Sequence, residues 1–214
     1  MEAKKTMFRA RVRTGLDHGR AGGGEASAAP RGIPREFLDG LAALVESMED
    51  TNPEATTATF RVRCTSTGGL GTKVETQPLT FAGHILPIRL TTHAWTTDYP
   101  KAVQGQGHGP TPQEALLGAL ASDLASSVML QAAAQGVDIE ALRAEAHGDV
   151  DLRKLLGSEA ESPGFGAIHV RLFVQSREDR EDLEHVKRLA ERTSAVLGSL
   201  SAQVRVDLLV ARVD

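Results

Sequence analysis

Apolar and polar residues change their spacing several times along the chain, and each change indicates a new structural element. The segment PREFLDGLAALVESM, residues 34–48, has apolar residues three or four positions apart, which predicts a helix. From residue 59 the period shortens to two, with Phe60, Val62 and Cys64 alternating, so we expect a strand there. Further extended runs follow in KVETQPLTF and LPIRLTTHAW, and a short strand is expected in MFRARVRT.

A long helix is predicted after the polar, glycine-rich loop TDYPKAVQGQGHGP. Thr111 is a candidate N-cap, Pro112 follows at the first helical position, and Thr111 with Glu114 forms a T-x-x-E capping box. Gly136 is a suitable end for this helix. We expect a short helical turn in DIEAL directly after it.

The remainder of the chain predicts strands in AEAHGDVDL, IHVRLFVQ and QVRVDLLVARV, with a second long helix beginning near Asp179. The order of sheet, helix, strands, helix and strand is typical of an α+β protein built on antiparallel sheets. The low-complexity stretch before residue 33 separates a flexible or partly ordered N-terminal segment, residues 1–32, from one domain, residues 33–214.

Composition and charge narrow the possible functions. Of 214 residues, 41% are hydrophobic and 24% charged, which is ordinary for a soluble globular protein. The net charge of -4 without a basic stripe argues against a nucleic-acid partner. Polar residues interrupt the apolar runs and the N-terminus has no apolar signal region, so we expect no membrane association and a cytoplasmic location.

No cofactor or metal is expected from the local motifs. The single cysteine, Cys64, excludes a disulfide within one chain. The glycine-rich runs GQGHGP and TGGLGTK do not match a phosphate-binding fingerprint. The seven histidines are scattered without metal-ligand spacing: His18, His84, His93, His108, His147, His169 and His185.

One carboxylate, Asp123, interrupts the run of small and apolar residues GALASDLASSVML, residues 118–130. A charge buried on such a helix costs several kcal/mol unless it is paired, protonated or used in chemistry. Leu120 and Ser127 fall on the helix face of Asp123, and Ser127 lies within reach at i+4. A carboxyl group held away from water in this way is suited to act as a general acid or base.

The segment GPTPQEALLGALASD, residues 109–123, resembles the OsmC/Ohr family, bacterial thiol peroxidases that reduce organic hydroperoxides. Further similar segments follow in family order: GIPREFLDGLAALVESM before FRVRCTS, GDVDLRKLLG, PGFGAIHVRLFV and LAERTSAVLGSL. The resemblance covers about residues 33–214. It implies an OsmC-like fold, in which antiparallel sheets surround two long central helices and two copies intertwine as a homodimer.

The chain departs from this family at its catalytic positions. The resemblance places Asp123 at the peroxidatic cysteine and Ser194 at the second cysteine, which faces the first. The acidic residue that orients the family's catalytic arginine is Gln113 here, and Arg20 is only a local match to that arginine. Because a carboxylate cannot attack a peroxide and be recycled by thiols, thiol peroxidase activity should be absent.

The favoured hypothesis is a cofactor-independent enzyme in which Asp123 acts as general acid/base on an apolar small molecule held in the family's interface cavity. The reaction would be a cyclisation, isomerisation, dehydration or hydrolysis, and specialised metabolism is one setting for it. His93 is a candidate second acid/base, and Tyr99 or Ser194 a candidate donor to a carbonyl. Other residues predicted to bind substrate are Gln113, Leu120, Trp95 and Ser127.

Other interpretations remain open. Asp123 could pair with a buried arginine, His93 could be a solvated strand-end residue, and Trp95 and Tyr99 could simply pack over the loop. The protein would then be a ligand-binding pseudoenzyme. A retained role in hydroperoxide defence is the remaining alternative, and it would require Cys64 in the cavity.

Overall fold

The computed structural model describes residues 33–51, 57–81, 84–85, 92–153, 157 and 164–200. These residues form two compact units, one from Ile33 to Gly118 and one from Ala119 onward. The strands expected in MFRARVRT and QVRVDLLVARV lie outside the described residues, as does the N-terminal segment. The division into segment 1–32 and domain 33–214 therefore stays a prediction.

The unit from Ile33 to Gly118 contains the predicted first helix and two small antiparallel sheets. Helix α1 spans Arg35–Thr51. The first sheet has the order β1-β4-β5, and its strands are β1 (Ala58–Thr59), β4 (Thr80–Phe81) and β5 (His84–Ile85). The second has the order β2-β3-β6, with β2 (Val62–Gly68), β3 (Gly71–Thr76) and β6 (Ala94–Thr97).

Register gives the second sheet one apolar and one charged face. Cys64 pairs with Val74, and Val74 pairs with Trp95, so these three side chains lie on the same face. Arg63 and Glu75 are paired on the opposite face. Val74, on the central strand, is buried, while Cys64 and Trp95 on the outer strands are exposed.

The second unit contains the two long helices that the apolar spacing predicts. Helix α2 spans Pro112–Gln135 and begins ahead of this unit, α3 spans Arg180–Thr193, and the short α4 spans Ala195–Leu200. Strands β7 (Ala141–Val150) and β8 (Phe165–Gln175) form an antiparallel pair. The predicted α+β class with antiparallel sheets is confirmed.

The core of this unit lies between α2, α3 and the β7–β8 pair. Its fully buried members are Val128, Ala132, Ile139, Val186 and Ala190. Leu142 on β7 and Leu172 and Val174 on β8 pack against them, so alternate residues of the β8 segment face the core. Each buried Val or Leu contributes about 1.5–3 kcal/mol, so this cluster is the main source of stability within the unit.

The prediction of a helical turn in DIEAL is wrong. Residues 138–139 have no regular structure, the chain bends at Glu140, and β7 begins at Ala141. Ile139 is 4% exposed and belongs to the core, while the backbone N–H of Glu140 donates to the carbonyl of Gln175 on the neighbouring strand. Strand pairing and burial of Ile139 outweigh the weak local helix preference.

The expectation that no segment could span a membrane also needs correction. Helix α2, with 24 residues, is long and apolar enough to cross a bilayer by length and composition. The central helix of a soluble protein passes the same test. Four residues of α2 at a spacing of four are buried within the protein, as expected for a helix with one face packed in a folded domain: Leu120, Leu124, Val128 and Ala132.

The predicted capping box at the start of α2 is confirmed. The N–H of Glu114 donates to Thr111 Oγ1 over 3.2 Å, and the N–H of Thr111 donates to Glu114 Oε2 over 2.7 Å. The backbone and hydroxyl of Thr111 together lower the pKa of Glu114. The backbone N–H groups of Thr111 and Glu114 therefore both have side-chain acceptors at the start of the helix.

Thr111→Ala should lower the free energy of unfolding by about 1 kcal/mol, because the N–H of Glu114 loses its acceptor at the helix start. Urea denaturation followed by circular dichroism measures this loss. Ser126→Ala is the matched control, since Ser126 is an exposed position in the interior of the same helix and alanine favours helix there. An equal effect of both substitutions would contradict a capping role for Thr111.

Candidate functional site

Asp123 lies on α2 and contacts the point where α3 ends and α4 begins. Its Oδ2 atom accepts a hydrogen bond from Ser194 Oγ over 2.5 Å and another from the backbone N–H of Val196 over 3.1 Å. The predicted proximity of Asp123 and Ser194 is therefore present in the structure. Asp123 bonds to these residues rather than to Ser127, the partner suggested by helical spacing.

Ser194 connects the two helices through its backbone and its side chain. Its N–H donates to the carbonyl of Ala190 at the end of α3, and its extended backbone starts α4. Ser194 Oγ accepts from the N–H of Leu197 over 3.1 Å while donating to Asp123. Ser194 is 4% exposed, so its hydroxyl must find such partners within the protein.

These contacts explain the carboxylate within an apolar helix. A carboxylate accepts hydrogen bonds only, and here it meets a hydroxyl donor and an unpaired backbone donor of a helix start. The short Ser194–Asp123 distance is typical of a charge-assisted hydrogen bond. Within the described part of the chain Asp123 forms no ion pair, so the alternative of an arginine partner finds no support there.

Tyr99 and Gln113 form a second polar pair, in the unit from Ile33 to Gly118. Gln113 Nε2 donates to the hydroxyl of Tyr99 over 2.9 Å. Gln113 Oε1 is buried and has no hydrogen-bond partner among the residues that the structure describes. A buried amide oxygen without a donor costs about 1–3 kcal/mol, so this atom is a ready acceptor for a water molecule or a ligand hydroxyl.

Two predicted site residues of this unit, His93 and Trp95, lie on or beside strand β6. The imidazole of His93 is exposed, and its backbone pairs with Thr76. Trp95 is 42% exposed on the apolar face described above. In the other unit, Leu120 is buried at 2% exposure and Ser127 is partly buried on α2. The binding roles assigned to these residues stay predictions.

Sequence reasoning missed Asp98, a buried carboxylate that organises the loop before α2. It accepts hydrogen bonds from the backbone N–H groups of Tyr99, Gln106 and His108, at 2.8, 3.2 and 3.2 Å. The contact with His108 does most, ahead of those with Tyr99 and Gln106, to hold the pKa of Asp98 below its usual value despite burial. The available signal was an aspartate followed by a run of turn residues.

The glycines of GQGHGP serve this loop. A Cβ at Gly105 would lie 1.8 Å from the carbonyl oxygen of Tyr99, and one at Gly109 would lie 2.0 Å from that of Thr96. Gly107 has a φ of 73°, which glycine adopts without strain. Close backbone approach therefore accounts for the glycines, in agreement with the interpretation of this run as a turn.

No group of three or more His, Cys, Asp or Glu side chains is placed to hold a metal ion among the residues that the structure describes. Cys64 is exposed on β2. The expectation that the protein works without a cofactor stays a prediction.

Comparison with known proteins identifies the class of this α+β protein. The family of OsmC-like proteins matches residues 105–209, which include α2, Asp123 and Ser194. No curated protein matches the chain. Residues 105–209, just under half of the chain, are therefore similar to OsmC-like proteins, and the chain has a single cysteine.

One solved structure with a TM-score above 0.5 supports the fold, and two further solved structures are less similar. An OsmC-like protein from Mycoplasma pneumoniae is similar over 67% of this chain and 87% of its own, with 16% identity and a TM-score of 0.51. The organic hydroperoxide resistance protein OsmC from Legionella pneumophila covers 66% of this chain and 88% of its own, with 15% identity and a TM-score of 0.45. The organic hydroperoxide resistance protein OhrB of Bacillus subtilis covers 67% of this chain and 90% of its own, with 17% identity and a TM-score of 0.39. The predicted OsmC-like fold of the chain is confirmed, and the intertwined homodimer stays a prediction.

Asp98→Asn should lower the thermal midpoint at neutral pH, because an amide offers one acceptor oxygen in place of two and places an NH₂ group against N–H donors. The lowered pKa means that the contribution of Asp98 is complete above about pH 4 and is lost as pH falls through its folded value. The difference in thermal midpoint between the wild-type protein and Asp98→Asn should therefore become smaller as the pH falls.

Thermal unfolding between pH 2 and pH 7 measures this gap. Asp39→Asn on α1 is the control, since Asp39 is an exposed carboxylate of the same unit. A gap that stays constant with pH would contradict the role given to the Asp98 carboxylate.

Proposed function

We propose that this OsmC-like protein is a non-redox enzyme in which Asp123 acts as general acid/base on an apolar small molecule. The observation that supports this is the way the carboxylate is held. Oδ2 takes both hydrogen bonds, from Ser194 and Val196, while Oδ1 accepts none from the described residues. One oxygen is thus anchored and the other is left for a substrate proton.

Ser194 is a positioning residue in this proposal. By donating to Oδ2 it fixes the orientation of the carboxylate, as a catalytic base requires. The helix around Asp123 supplies apolar neighbours, with Leu120 one turn before it and Leu124 next to it, both buried. Apolar surroundings raise the reactivity of a carboxylate base by removing competing water.

Base catalysis can be tested without knowing the substrate. The probe is 5-nitrobenzisoxazole, in which removal of the ring C–H proton by a base is coupled to cleavage of the N–O bond, giving a coloured cyanophenolate. The wild-type protein should open this ring faster than acetate at the same carboxylate concentration. In Asp123→Asn the excess of the ring-opening rate over the acetate rate should fall at least about ten-fold, a typical scale for removal of a general base.

Asp138→Asn is the matched control, because Asp138 is an exposed carboxylate of the same unit. Asn at position 123 keeps an oxygen for the Val196 N–H, and circular dichroism checks that the helices remain. Ring opening at the wild-type rate by Asp123→Asn would contradict the proposed role of Asp123, and the purely structural interpretation would then be preferred.

A role in hydroperoxide defence is the second candidate, because two solved structures of this fold are organic hydroperoxide resistance proteins and the single thiol, Cys64, is exposed. Asp123 and Ser194 offer no thiolate for this chemistry. The protein should not reduce cumene hydroperoxide with dithiothreitol above the background rate, measured by peroxide consumption. Reduction that disappears in Cys64→Ser would overturn this expectation and favour the defence role.

We further propose that two copies associate through the apolar face of the β2–β3–β6 sheet. Val62 is 60% exposed and Trp95 is 42% exposed on this face, although both are apolar. The homodimer of the family, implied by the resemblance, would cover such a surface.

Sedimentation equilibrium should give about twice the chain mass of 22.8 kDa. Val62→Glu should shift the protein toward monomer and move the fluorescence of Trp95, the single tryptophan, to longer wavelength. Thr65→Glu, on the opposite face of β2, is the control. A wild-type protein that stays monomeric at all concentrations would refute the association.

A further inference from the structure

The β7–β8 pair brings two histidines together that are far apart in the sequence. His147 lies directly opposite His169 in the antiparallel register. Their ring centroids are 5.2 Å apart, and the ring planes differ by 20°. Directly opposite residues have Cβ atoms about 5 Å apart, so both side chains leave the sheet on the same face.

This face is the outer one. Ile168, Val170, Leu172 and Val174 alternate with the outward residues and turn toward the other side, where Leu172 and Val174 pack on the core. His147 and His169 are exposed, and with Arg171 they line an open groove. The two imidazoles therefore do not serve the packing of the core.

The distance between the rings fits shared coordination of one metal ion. A tetrahedral ion binds imidazole nitrogen at about 2.0–2.1 Å, which places the centroids of two coordinating rings about 5 Å apart. Since both rings are exposed, rotation about their side-chain torsions can bring one nitrogen of each toward a common point.

Four charged groups surround the histidine pair. Glu145 and Asp149 lie two positions before and after His147 on β7, while Arg171 faces Glu145 across the strands. Glu145 also pairs with Arg143 at 2.9 Å. The formal charges of these four groups cancel, so the imidazoles rather than the net charge must provide the affinity. Nitrogen ligands favour Zn²⁺, Ni²⁺ and Cu²⁺ over Mg²⁺ and Ca²⁺.

We propose that His147 and His169 form a binding site for one divalent transition-metal ion, with water completing its coordination. This site is separate from the role proposed for Asp123 and does not depend on it. Two protein ligands make it an open and exchangeable site, in contrast to a closed structural zinc site with four protein ligands.

Isothermal titration with NiCl₂ and ZnCl₂ tests the proposal on the full chain. We expect one ion per chain, no comparable heat with MgCl₂, and affinity weakened about ten-fold or more in His147→Ala and in His169→Ala. His185→Ala is the control, because His185 is an exposed histidine on α3. His147→Asn and His169→Asn repeat the test with polar side chains of similar size.

A second measurement does not rely on affinity. Stoichiometric Cu²⁺ should broaden the ring proton signals of His147 and His169 in NMR before those of other histidines. Absence of binding would overturn the proposal, as would binding that persists in the His147→Ala/His169→Ala double variant or weakens equally in His185→Ala.

Discussion

The hydrogen bond between Ser194 and Asp123 joins two parts of the chain that lie 71 residues apart in the sequence. It connects the middle of α2 to the junction of α3 and α4. The same carboxylate oxygen also accepts the N–H of Val196, so a single side chain serves both the hydroxyl and the helix start. A hydrogen bond to a charged group contributes about 1.5–3 kcal/mol, more than most single contacts.

The same contact shows which groups this chain carries at the two cysteine positions of the family resemblance. By the family resemblance, Asp123 and Ser194 stand where two cysteines would exchange electrons. Here the hydroxyl of Ser194 donates a hydrogen bond to the carboxylate of Asp123 instead. The two positions are thus in direct contact through side chains that carry no thiol.

Local sequence patterns predicted those helices and strands in which the buried residues recur at the spacing of the helix or strand itself. The alternation in IHVRLFVQ and the spacing of Val186 and Ala190 on α3 match the buried faces of the structure. The capping box at Thr111 was equally visible, because all its atoms lie within four residues. In DIEAL the same local reasoning failed, since pairing with β8 decides the conformation.

The site was less predictable, because its contacts join distant positions. Only the family resemblance suggested that Ser194 would meet Asp123, 71 residues earlier. The turn residues after Asp98 indicated a loop, but not the burial of this carboxylate, which depends on how the loop folds back on it. The pairing of His147 with His169 depends on strand register, which the spacing of histidines along the chain does not reveal.

A double-mutant cycle with Asp123→Ala, Ser194→Ala and the double variant measures the central contact most directly. Urea unfolding of the four proteins gives the coupling free energy between the two side chains. We predict a coupling of about 1–3 kcal/mol in favour of the native pair. Additive effects, within about 0.3 kcal/mol, would show that Asp123 and Ser194 do not depend on each other and would contradict the account.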